Sequence, residues 1–158
     1  MKNLGRTITL YLIAISLPLL VGGLAATITA DSMNVYDTMA KPPLSPPGWV
    51  FPVVWTVLYA LMGWASGLIF DSGHPQRKKP LRLYGLQLMV NFLWPIVFFR
   101  WEMPFAALLV LILLMILVYT MFRQFRFVEP MAAWLIVPYL LWLVVALWLN
   151  LGIWWLNR

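Results

Sequence analysis

A chain of 158 residues that is 63% hydrophobic and only 10% charged cannot clothe itself in polar groups, since a soluble domain carries about 25% charged residues. Most of its surface must face lipid. The net charge of +6 does not mark a nucleic-acid binder, because the basic residues sit in short loops beside apolar runs and not on a folded polar face. With no cysteine, one histidine (His74) and five carboxylates, the chain offers neither thiolate chemistry nor a ready metal site.

The expected architecture is an all-α integral membrane protein, a single domain over residues 1–158 made of five transmembrane helices. The first apolar run, residues 7–28, follows Lys2 and Arg6 and precedes small residues, as a secretory signal would. Its length suits a retained span crossing about 30 Å of hydrocarbon, and it is read as one. Asp31 to Gly48 is the longest polar stretch. Pro42, Pro43, Pro46 and Pro47 remove amide donors and fix φ, so Lys41 to Gly48 is a stiffened loop, either a rigid spacer or a functional element.

Span two covers residues 49–70, and a basic loop with Arg77, Lys78 and Lys79 follows. Span three covers 81–99, a tight turn occupies 100–103, and span four covers 104–122 with Pro104 at its first position. Arg123 to Glu129 reads as another basic loop before span five at 131–153. Pro18, Pro95 and Pro138 fall inside spans, and each is expected to kink its helix. Gly63 and Gly67 form a GxxxG pair and Gly22 and Ala26 a similar one, spacings that let helices approach closely, here read as packing within the chain.

Five spans put Lys2, Arg6, Arg77, Lys78, Lys79, Arg82, Arg123 and Arg126 on one side and Lys41, Arg100 and Arg158 on the other. The positive-inside rule then places the N-terminus in the cytoplasm and the proline loop outside, in a multi-pass protein expected in a bacterial cell membrane. No ionisable side chain lies deep in a span, which argues against an ion-coupled transporter.

Polar side chains within spans should face other helices or a cavity. Span three carries Gln87, Asn91, Trp94 and Phe98 within roughly 60° of arc. Span two carries Trp55, Tyr59, Met62 and Ser66 in an equally narrow stripe, and span five carries Pro138, Trp142 and Ala146, with Asn150 a turn further on. Converging, these stripes would form a pocket for a flat, mostly apolar ligand. The plainer alternative is that Gln87 and Asn91 only bond helix to helix. Trp49, Trp101, Trp154 and Trp155, near span ends, read as an interfacial belt.

Several of these motifs together resemble the TspO/MBR family, the tryptophan-rich sensory proteins whose animal members are known as translocator protein or peripheral benzodiazepine receptor. They are Tyr36, Lys41-Pro42-Pro43, Pro46-Pro47, Trp49 and Trp55-Thr56-Val57-Leu58-Tyr59 through Met62-Gly63. Gln87-Leu88, Asn91, Trp94-Pro95 and Phe98-Phe99 follow, then Pro138-Tyr139-Leu140-Leu141-Trp142, Ala146, Leu149-Asn150 and Trp154. The resemblance implies a five-helix bundle, commonly a homodimer, with a pocket opening toward the first loop. It implies porphyrin, haem or another tetrapyrrole, or a sterol-like molecule, as ligand, and no bound cofactor. By motif position Tyr36, Pro46, Phe51, Trp55, Tyr59, Asn91, Trp94, Trp142 and Ala146 should line that pocket. Trp55 and Trp142 match tryptophans linked in some relatives to light-dependent porphyrin breakdown, and they are the only candidates if the protein is an enzyme. Binding, stress sensing or scavenging is the leading expectation, with porphyrin degradation and small-molecule transport as alternatives. Two family aromatics are replaced here by Val35 and Leu44, from which weaker tetrapyrrole binding is expected.

Overall fold

The computed structural model describes residues 4–158, without the side chains of residues 33–35, so the expectations attached to Lys2 and to the side chain of Val35 lie outside the described residues. Helix α1 (Leu4–Thr29) ends in a 3₁₀ turn (Ala30–Ser32) and a short α2 (Met33–Thr38). Then come α3 (Val50–Asp71), α4 (Lys78–Pro95) with a π-helical turn (Ile96–Arg100), α5 (Pro104–Val128), α6 (Pro130–Trp134) and α7 (Val137–Leu156). Five of the resulting helical segments are long and apolar enough to cross a bilayer. Among the described residues there is no strand.

The spans close into a ring. α1 packs on α3 and α4, α4 and α7 flank α5, and α3 meets α6. The core fills with Met62, Leu111, Val118, Met121, Phe125, Tyr139 and Leu143, while Leu12, Leu20, Ile116 and Leu141 point outward to lipid. α1 is the most peripheral helix; it buries only Pro18, Ala25 and Thr29.

Glycine sets the α1–α3 contact. A Cβ on Gly63 would stand 2.5 Å from the Ala14 carbonyl oxygen and the Ile15 Cα, and one on Gly67 would stand 2.9 Å from the Tyr11 ring. The GxxxG pair is therefore used inside the chain, where the missing side chains let the two backbones approach.

The structure differs from the sequence reading in four places, of which the simplest is that Lys78 and Lys79, read as loop, already open α4. The stretch read as a loop from Arg123 is helix through Val128, with Phe125 buried and Arg123 and Arg126 exposed on the last turns. Cations suit a helix C-terminus, and their stems reach past the apolar boundary to water. Pro138 does not kink a continuous helix. It has no N–H to give the Trp134 carbonyl, so the span breaks at Leu135 and Ile136, and Pro138 falls in the first turn of α7. The polar stretch after α1 is also partly helical, in the 3₁₀ turn and α2. Pro95, by contrast, deforms its helix as expected. After it the ladder widens, with Trp101 N–H donating to the Ile96 carbonyl at 3.0 Å.

Candidate functional site

The half of the bundle nearest the proline-rich loop contains a cavity of about 490 Å³ between α1, α3 and α4. α3 supplies Phe51, Trp55 and Tyr59, spaced four residues apart and so on one face. α4 supplies Asn91, Trp94 and Pro95, and the π-helical turn adds Phe99. The facing wall is α1, which presents Leu19, Gly22, Gly23, Ala25, Ala26 and Thr29, with Ala30 of the 3₁₀ turn beyond them. Aromatic rings on one side therefore oppose almost bare helix backbone on the other. Among the described residues no charged side chain lines the space.

Its deep end is a polar chain. The Tyr59 hydroxyl donates to Asn91 Oδ1 at 2.6 Å, Asn91 Nδ2 donates to the Tyr139 hydroxyl at 2.7 Å, and that hydroxyl donates to Gln87 Oε1 at 3.0 Å. Gln87 Nε2 reaches Met62 Sδ at 3.7 Å. Trp94 Nε1 donates to Asn150 Oδ1 at 3.1 Å, and Asn150 Nδ2 donates to the Pro104 carbonyl at 2.7 Å. The amides thus tie α3, α4 and α7 together. Asn91 does this while standing on the cavity wall, so one side chain serves both readings that the sequence left open.

The rings are also pre-arranged. Trp55 lies 5.5 Å from Tyr59 at a 30° tilt and meets Tyr139 edge-on at 6.0 Å. Trp94 stacks on Phe98 at 5.4 Å, so one of its faces is already covered. Held in this way, the walls give a ligand ring rigid aromatic surface whose rotamer entropy is already lost.

Of the nine residues expected at the pocket, Phe51, Trp55, Tyr59, Asn91 and Trp94 stand on the cavity wall, and Tyr36, Pro46, Trp142 and Ala146 do not. Trp142 sits half-buried behind Phe51, edge-on at 6.0 Å. Ala146 is buried one turn further along α7. Tyr36 and Pro46 belong to the roof. The Tyr36 hydroxyl donates to the Pro46 carbonyl at 3.0 Å, and its ring meets the edges of Phe51 at 5.2 Å and Phe99 at 6.5 Å. Burial pushes the Tyr36 phenol above its ordinary 10.0; the Ser45 hydroxyl opposes that shift and the Asp37 charge adds to it. Lys41 lies 4.4 Å over the same ring and 3.7 Å from Asp37. Leu44, at φ 66°, is 98% exposed and does not line the cavity.

The roof is strapped to the far end of α7. Asn157 accepts from the Ala40 N–H at 3.0 Å and returns a bond to its carbonyl at 2.9 Å, and the Trp148 indole donates to the Pro43 carbonyl at 3.3 Å. Gly152 makes room for the Pro42 ring, which a Cβ would meet at 2.5 Å.

The sequence reading missed the α1 wall, along with Pro52, Thr56 and Phe99. The Gly22 and Ala26 spacing serves close packing, since a Cβ on Gly22 would meet the Tyr59 ring of α3, and both residues also line the cavity. Trp49, Trp101 and Trp155 are exposed at span ends, as an interfacial belt requires.

Five apolar spans packed into one bundle, with an aromatic-lined cavity between α1, α3 and α4, define a polytopic helical membrane protein. The TspO/MBR family model matches residues 14–156, and the chain belongs to that family. It is 34% identical to the tryptophan-rich protein TspO of Chlorobaculum tepidum over 98% of this chain and 99% of the relative. It is 35% identical to protein CrtK of Rhodobacter capsulatus, over 77% and 78% of the two chains. It is 36% identical to the translocator protein of Ovis aries, over 84% and 82%.

Proposed function

We propose that this protein is a membrane receptor or carrier that takes a flat, largely apolar ligand of the tetrapyrrole class into the α1–α3–α4 cavity. One observation carries the reading: Phe51, Trp55 and Trp94 face a glycine and alanine wall across about 490 Å³, with Tyr59 and Asn91 at the deep end. That volume lies within the 300–1,000 Å³ typical of small-molecule sites. The absence of charge from the lining favours an apolar ring, and the two polar groups give it an orientation. Relatives named as sensory protein and translocator protein accord with a binding role.

The test is titration of purified protein with protoporphyrin IX, followed by tryptophan fluorescence in the dark. Offset stacking adds about 0.5–1.5 kcal/mol per aromatic contact, so Trp55→Ala should weaken binding about 2- to 10-fold. Trp55→Phe should cost less, because a smaller ring still stacks. Trp142→Phe should also cost less than Trp55→Ala, since Phe51 stands in front of Trp142. Trp155→Phe, at the exposed belt, should leave affinity unchanged; a loss there equal to that of Trp55→Ala would place the site at the membrane edge. Repeating the titration under illumination separates binding, which shifts spectra reversibly, from porphyrin breakdown, which leaves a new product.

A further inference from the structure

A second concavity, of about 610 Å³, lies at the end of the bundle opposite the roof, where the start of α4 meets the end of α5. Lys79 and Arg123 face it together with the amides of Gln76 and Gln124 and the rings of Tyr119 and Phe127. We propose that this groove is a binding site for the phosphate of an anionic phospholipid, with the acyl chain lying down the outer face of α5.

Three observations support an anionic lipid. The first is charge. Among the described residues neither Lys79 nor Arg123 forms an ion pair, and both are exposed beside Lys78, Arg82 and Arg126. A guanidinium presents a fork that matches phosphate oxygens, an ammonium adds a point charge, and the two amides add neutral donors. Basic pockets at the ends of transmembrane helices suit phospholipid headgroups.

The second is continuity with the bilayer. Arg123, Thr120, Ile116 and Ile112 share one face of α5 at helical spacing. Ile116 is 59% and Ile112 42% exposed, so an apolar track leads straight away from the cation. Tyr119 and Phe127 are also exposed at the rim. Free phosphate would have no use for those surfaces, whereas a lipid would cover them.

The third is rigidity. Arg77 donates to the Phe70 carbonyl at 2.6 Å and lies 4.9 Å over the Phe70 ring. His74 Nδ1 accepts from the Gln76 N–H at 3.1 Å, and its ring meets Phe127 edge-on at 5.5 Å. The rim carrying Gln76 and Phe127 is thus braced.

Native mass spectrometry of the detergent-purified full chain, with dioleoylphosphatidylglycerol or dioleoylphosphatidylcholine added, tests this. The glycerol lipid should be retained in preference to the choline lipid. Lys79→Gln/Arg123→Gln should weaken its retention about 10- to 30-fold, from about one unit of surface attraction per cation removed. The charge-conserving Lys79→Arg/Arg123→Lys should keep most of it. Arg100→Gln/Arg158→Gln, which removes the same charge at the other end, should behave as wild type. Equal loss in that control would reduce the effect to bulk charge, and undiminished retention by Lys79→Gln/Arg123→Gln would remove the site. Displacement of the lipid by inorganic phosphate at equal concentration would show that the groove reads a free anion, and would also overturn the proposal.

Discussion

Replacing Asn91 with leucine removes two bonds at one stroke, the 2.6 Å bond from Tyr59 and the 2.7 Å bond to Tyr139. Interhelical hydrogen bonds within bilayers average about 0.6 kcal/mol and reach about 1.7, so the loss should fall between about 1 and 3 kcal/mol. The low end is expected. Leucine keeps the branched shape of asparagine with bulkier branches, and the Tyr139 hydroxyl keeps its bond to Gln87. Equilibrium unfolding in mixed micelles, followed by near-ultraviolet circular dichroism, measures the difference. Tyr59→Phe removes one of the two bonds and should cost about half as much. Because that bond is already gone in Asn91→Leu, adding Tyr59→Phe to it should cost almost nothing more. Strictly additive losses would refute the chain of bonds, and an Asn91→Leu protein as stable as wild type would remove the asparagine from the framework altogether.

Gly63→Ala should destabilise the bundle by about 1–3 kcal/mol, since its Cβ meets α1 backbone that cannot yield. Gly23→Ala has open space and should be neutral or gain up to about 1 kcal/mol from helix propensity, as paired thermal melts would show. Cysteines at Leu44 and Ser72, both exposed, should label oppositely with an impermeant reagent in intact cells; reaction at Ser72 alone would invert the orientation expected from the basic residues. Tyr36 supports the roof as a neutral phenol. Its folded pKa lies above 10.0, so roof docking is at full strength below pH 10 and declines as pH rises past it, which proteolysis of the loop across that range would report.

Much of this organisation was legible from residue types because a bilayer restricts where polar atoms can go. The stripe from Trp55 to Ser66 and the stripe from Gln87 to Phe98 turn inward because lipid offers Tyr59, Gln87 and Asn91 no partners. Helix ends were less legible. Arg123 and Arg126 look like loop residues by charge, yet long basic side chains tolerate a helix end near water, so composition alone cannot mark the boundary. Trp142 and Ala146 show a different limit. Their face of α7 was identifiable, but whether it reaches the cavity depends on what stands in front of it, and Phe51 meets Trp142 edge-on there. The α1 wall was hidden because glycine and alanine advertise no chemistry. Leu44 was weighed as a lost aromatic, and its left-handed backbone and near-complete exposure were not legible from residue type.

The clasp between Ala40 and Asn157 joins residues 117 positions apart. It therefore dictates an order of assembly. When the first four spans have been threaded into the bilayer, α1, α3 and α4 can already flank the cavity, but the strap above it has nothing to hold. Only insertion of α7 brings the asparagine within reach. Until then the loop above the aromatic cleft has no partner on α7, so the roof is the last part of the fold to be fastened.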